Sequence, residues 1–223
     1  MKNPGTTKIS AKTVATVGML CAIAFVANLI SQVFPTVSGF LSFDLKDVVI
    51  VIGGFMMGPV TAIVISVIVS LIEMLTVSST GVIGLIMNIL SSCAFACLAA
   101  GIYHRDRSMK GAIIGLVAGI LCMTAIMLLW NWLITPLYMH IPREQIEPLL
   151  LTAFLPFNLL KSAFNTVLTV LLYKSVVSAL RAAKLVPKSN APVRRGIRVS
   201  VLLTCLFCLV TLILILLVWR GIL

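Results

Sequence analysis

The chain has 223 residues, 61% of them hydrophobic and 10% charged, with a formal net charge of +11 and a mean hydropathy of +1.18. Soluble domains are about 45–50% apolar, so these values exclude an ordinary soluble domain and describe an all-α, polytopic membrane protein. The basic charge sits in short breaks between apolar runs, which explains it by topology and leaves no nucleic-acid footprint.

A helix needs about 20 apolar residues to cross a bilayer, and that ruler divides the chain. Met1 to Lys12 is polar and basic and does not read as a secretion signal. The first span is expected over Thr13 to Phe34, followed by the loop "PTVSGFLSFDLKD". A short second segment, Val48 to Met57, ends at Gly58-Pro59; it is too short to span comfortably unless Asp44 to Asp47 lies at the membrane interface, with tilt or extension by the preceding loop as the alternatives. The third runs from Val60 to Val77 and, after "SSTG", the fourth from Val82 to Tyr103. The fifth covers Gly111 to Ile134, and the sixth begins near Leu149 and ends near Leu180. Residues 1–185 thus form one membrane domain, 186–198 a basic linker, and 199–223 an additional seventh helix. Arg105, Arg107 and Lys110 fill one polar break, and Arg181 to Arg198 another. Placed inside by the positive-inside bias, both agree with a cytoplasmic N-terminus in the cell membrane.

Charged groups within a span normally face the bundle interior or a water-filled cavity. Asn28 and Gln32, Glu73, Asn88, Asn131, and Asn158 with Lys161 and Asn165 come from five spans, yet all fall in the outer half. Spacings of three and four put Asn158, Lys161 and Asn165 on one stripe, and Pro156 just before them is expected to kink the helix. Lys161 lies roughly a dozen residues below Leu149, or about 18 Å, which is far to snorkel. A paired or functional lysine is expected, and a salt bridge from Glu73 to Lys161 is the plain structural alternative. Trp130 and Trp132 read as interfacial anchors.

Other chemistries lack their parts. No G-x-x-x-x-G-K-[ST], H-E-x-x-H or Ser/His/Asp set is present. His104 and His140 fall on opposite sides of the membrane, so no catalytic or metal site is expected. The six cysteines, the Cys205/Cys208 pair included, lie in apolar runs and read as small buried residues. Ala11, Ala15, Gly18 and Ala22 form a smooth stripe on the first span. Such faces let helices approach closely in lipid, here either another helix of the chain or a partner.

The segments "FDLKDVVIVIGGFMMGP", "MNILSS", "WNWLITPLYM", "PREQIEPLL" and "LPFNLLK" occur in this order between about residues 10 and 185. In them the chain resembles the substrate-binding S components of energy-coupling factor (ECF) vitamin transporters, riboflavin-specific type. The resemblance implies a six-helix bundle with a vitamin site near the outer surface, capped by the first loop. It also implies a transmembrane coupling subunit and two cytoplasmic ATPases as partners, with riboflavin, FMN or a flavin analogue as transported ligand rather than cofactor. Asn131, Asn158 and Lys161 match flavin-contacting positions, and Leu41, Phe43 and Asp44 match the capping loop. Glu73 and Asn88 join the site by depth. Ala15, Gly18 and Ala22 fall on the helix that docks the coupling subunit. The seventh helix departs from the pattern. Another vitamin on the same fold, and a structural membrane protein with no small ligand, are the competing readings.

Overall fold

The computed structural model describes residues 10–33, 41–184 and 210. The segments 186–198 and 199–223, and with them the seventh helix, lie outside the described residues apart from Val210. Helices α1 (Ala11–Ser31), α2 (Lys46–Met57), α3 (Pro59–Thr76), α4 (Gly81–Arg105), α5 (Met109–Met139), α6 (Arg143–Leu149) and α7 (Leu155–Ala182) follow in order, with a π turn at Leu150–Phe154 joining the last two. Among the described residues, α1, α3, α4, α5 and the continuous run Arg143–Ala182 are long and apolar enough to cross a membrane.

Helix α2 is the exception, and it organises the rest. Twelve residues rise about 18 Å, well short of the ~30 Å of a hydrocarbon core. Lys46 through Phe55 are all buried, as an apolar surface on every side of a helix requires. It packs against α1, α3, α4 and α7. Gly58 (φ 108°) turns the chain out of α2, a conformation open to glycine, and Pro59 starts α3.

The α4–α5 contact is closer still. A Cβ added at Gly115 would lie 2.6 Å from the Ala99 carbonyl oxygen, and one at Gly119 would lie 2.7 Å from that of Phe95. With Gly111 these residues form a small-x-x-x-small-x-x-x-small face, on which two helices meet backbone to backbone.

Several expected boundaries move. Helix α5 continues past Ile134, through Pro136, to a left-handed cap at His140 (φ 54°). The sixth run starts at Arg143 rather than Leu149. Pro156 lacks an N–H, and its ring would strike the carbonyl four residues back. The preceding turn opens to π geometry, with the Leu155 N–H donating to Leu150 O, so the expected kink takes the form of a π turn.

Candidate ligand cavity

The bundle encloses a cavity of about 490 Å³ at one end. Its wall comes from the last turns of α1 (Asn28, Ser31, Gln32), the loop before α2, the end of α3, the start of α4, the last third of α5 and the start of α7. Arg105, Arg107, Lys110 and Arg181 mark the opposite end of the same helices. The volume is in the range of small-ligand sites, and the lining mixes amides, hydroxyls and charges with Phe43, Met87, Met127 and Phe157.

All eight residues singled out in the sequence, Leu41, Phe43, Asp44, Glu73, Asn88, Asn131, Asn158 and Lys161, line this one space. The two amides of α5 and α7 sit alike. Asn131 Nδ2 donates to Met127 O (2.7 Å) and Asn158 Nδ2 to Phe154 O (2.8 Å). Each amide NH2 has a second hydrogen left for a ligand. Thr135 donates to Asn131 Oδ1 (2.9 Å), fixing that amide's orientation. The Phe43 ring meets Phe157 edge to face, centroids 5.2 Å apart, which seats the loop on α7.

Lys161 does not reach toward the membrane surface. Its Nζ donates to Asp44 Oδ2 at 2.7 Å, and the residue is 8% exposed. Asn165, on the same stripe, donates to the Asp44 backbone carbonyl (3.1 Å). Glu73 takes a different partner from the one considered in the sequence: it pairs with Lys46, whose Nζ also lies 3.8 Å from Asp44. A chain of charge thus runs from α7 through the loop and α2 to α3. Burial alone would push the Asp44 carboxyl up, but Lys161 and Lys46 outweigh it and hold the group below its ordinary range.

The charged side chains of Asp44 to Asp47 turn into the protein; Lys46 and Asp47 are fully buried, and Ser92 Oγ donates to Asp47 Oδ1. "DLKD" carries charge directly into an all-round apolar helix, and that adjacency was the available signal for internal pairing. Asn28, Ser91, Trp130, Thr135 and Tyr138 also line the cavity. Trp130 is thus a wall residue, while Trp132 turns away and stacks under the Arg143 guanidinium, 5.1 Å from its ring centroid. Asn28 Nδ2, Asp44 Oδ1 and Ser91 Oγ are buried at this wall without a hydrogen-bond partner, the kind of atoms a polar ligand satisfies.

On α1 the small stripe points the other way. Ala11, Ala15, Gly18 and Ala22 are exposed, and a Cβ added at Gly18 meets nothing within 4 Å. The stripe does not serve packing within the described chain.

A family model for the substrate-specific component of ECF transporters matches residues 12–173. The chain is 29% identical over 176 residues to the riboflavin transporter RibU of Staphylococcus aureus (strain TCH60), covering 76% of this chain and 93% of that protein. It is 29% identical over 171 residues to the riboflavin transporter FmnP of Bacillus subtilis (strain 168), covering 73% and 90%. A solved structure of the S component of a bacterial ECF transporter superposes with a TM-score of 0.64 at 29% identity, covering 75% of this chain and 96% of the other.

Proposed function

The chain belongs to the ECF transporter substrate-specific component family, a transporter subunit rather than an enzyme, and from that premise we propose that it captures riboflavin in the cavity of Asn131, Asn158 and Lys161. The observation that carries this reading is the convergence of those side chains with the Leu41–Asp44 loop on one polar-lined space. The pyrimidine edge of a flavin alternates carbonyl acceptors with an N–H donor. Two amides and an ammonium can match it, while Phe43, Trp130, Met87 and Met127 offer apolar surface to the rings. The names of both curated relatives, as riboflavin transporters, support the same ligand. The basic ends at Arg105–Lys110 and Arg181 are cytoplasmic by the positive-inside bias. The N-terminus then lies inside, and the cavity faces out.

Delivery inward needs an energised partner. In this reading a transmembrane coupling subunit, driven by two cytoplasmic ATPases, docks on Ala15, Gly18 and Ala22 of α1. Residues 1–185 carry binding and docking, 186–198 is a linker, and 199–223 is an additional transmembrane helix. Gly18→Leu is expected to leave riboflavin affinity unchanged, because the new side chain meets open space, and to abolish co-purification of the coupling subunit. Recovery of the complete complex with that variant contradicts the docking assignment. The ligand itself is tested by titrating purified protein with riboflavin and following the loss of flavin fluorescence. A saturable response at one flavin per chain is expected, and an unsaturated response contradicts the proposal.

A further inference from the structure

Among the described residues, the charged side chains that line the cavity are Asp44, Glu73 and Lys161. Lys46 stands behind them: it does not line the cavity and is 0% exposed. Its Nζ lies 2.5 Å from Glu73 Oε2 and 3.8 Å from Asp44 Oδ2, while Lys161 Nζ takes the same Asp44 oxygen at 2.7 Å. Each cavity carboxylate therefore has an ammonium of its own, and the longer contact is where the two pairs meet.

An ammonium carries three N–H donors. Asp44 takes one of those on Lys161, and Asp44 is itself held in place, because its backbone carbonyl accepts from Asn165 (3.1 Å). A lysine stem has many rotamers, and fixing one of them before a ligand arrives lowers the cost of binding. We infer that Lys46 is a positioning residue for the proposed ligand site: by neutralising Glu73 from behind the wall, it leaves Lys161 on Asp44 with two donors for the ligand. The inference rests on the flavin reading above.

The reason lies in what Glu73 does once Lys46 is gone. Its side chain is 15% exposed, and a largely buried carboxylate stripped of its partner is strongly unfavourable. It then draws on the cation that remains at this wall, which is Lys161. Asp44 and Glu73 approach from different elements, the loop before α2 and the end of α3, so one ammonium cannot serve both and keep its place. Asp47, the remaining carboxylate of the group, is fully buried and has the Ser92 hydroxyl as donor.

The test is a mutant cycle read by riboflavin titration, with melting temperatures measured alongside. Lys46→Met is expected to weaken riboflavin binding by about tenfold although it touches no part of the cavity surface. Lys46→Gln keeps a donor for Glu73 but not the charge, and it carries the same expectation if the methionine variant is not recovered folded. Adding Glu73→Gln to either variant removes the competing carboxylate and is expected to recover most of that loss. In a Lys161→Ala background the change at Lys46 is expected to cost nothing further, because the side chain it positions is gone. A loss of the same size with and without Lys161 makes Lys46 a support of the fold alone and overturns the inference. Wild-type affinity in the Lys46 variants overturns it as well, and so does a Glu73→Gln double variant as weak as the single one. In all three of these outcomes the wild type still binds riboflavin and the flavin reading stands; a wild type that binds no riboflavin overturns both.

Discussion

Lys161→Ala is expected to weaken riboflavin binding by about 10- to 100-fold, the ~1.5–3 kcal/mol that a hydrogen bond from a charged donor carries. Among the described residues the cavity loses its one cationic donor, while the wall provided by Asn131, Asn158 and the aromatic residues remains. The fold should survive the change. Asp44 keeps Lys46 at 3.8 Å, and its backbone carbonyl keeps the hydrogen bond from Asn165. Fluorescence titration of the purified variant measures the effect, and an affinity equal to that of the wild type removes Lys161 from the binding site. The same substitution should loosen the loop, because the 2.7 Å pair to Asp44 ties it to α7. Faster ligand release is therefore expected to account for much of the lost affinity.

Gly115→Leu is expected to damage the fold severely. The first side-chain carbon alone would sit 2.6 Å from the Ala99 carbonyl oxygen and 3.2 Å from its Cα. Backbone cannot yield as a flexible side chain does, so α5 must move away from α4 along the face that also carries Gly119. A cost of about 3 kcal/mol or more is expected, the upper range for overpacking a close contact. The readout is the yield and melting temperature of detergent-solubilised protein. A variant as stable as the wild type contradicts the close α4–α5 approach. Asn131 lies on α5 some distance beyond this contact, so partial folding should also lower riboflavin binding.

The two substitutions probe features that were unequally legible in the sequence. Lys161 stands out because an ammonium deep in an apolar run demands a partner, and its stripe with Asn158 and Asn165 gave the face. Which carboxylate answers it was not legible. Glu73 was considered by depth alone, whereas Asp44 arrives by way of a loop whose path depends on tertiary packing. For α2, too short to span comfortably, an interfacial Asp44 to Asp47 stood beside tilt and extension by the preceding loop, and burial of Lys46 and Asp47 was not foreseen. The structure accommodates that shortness by burying the whole helix among α1, α3, α4 and α7, and the charges go in with it.

The Gly111–Gly115–Gly119 face was readable in principle, since it is a small-residue stripe at helical spacing like the one noticed on α1. Spacing alone does not tell an internal contact from an external one. On α5 the glycines meet α4; on α1 the stripe around Gly18 faces away from the chain. Helix ends were read least well. Pro136 and Pro148 look like terminators, yet α5 and α6 run through them. Apolar surroundings leave backbone groups no water to bond, so a helix in a membrane tends to continue past a proline.

The central claim is that riboflavin sits among Asn131, Asn158 and Lys161. The most direct measurement compares riboflavin titrations of the wild type and of the Asn131→Leu/Asn158→Leu double variant, with folding checked by thermal melting. Saturable one-to-one quenching in the wild type, weakened at least about 100-fold in the double variant, is the predicted result. Undiminished quenching by a folded double variant would place the flavin elsewhere and contradict the account.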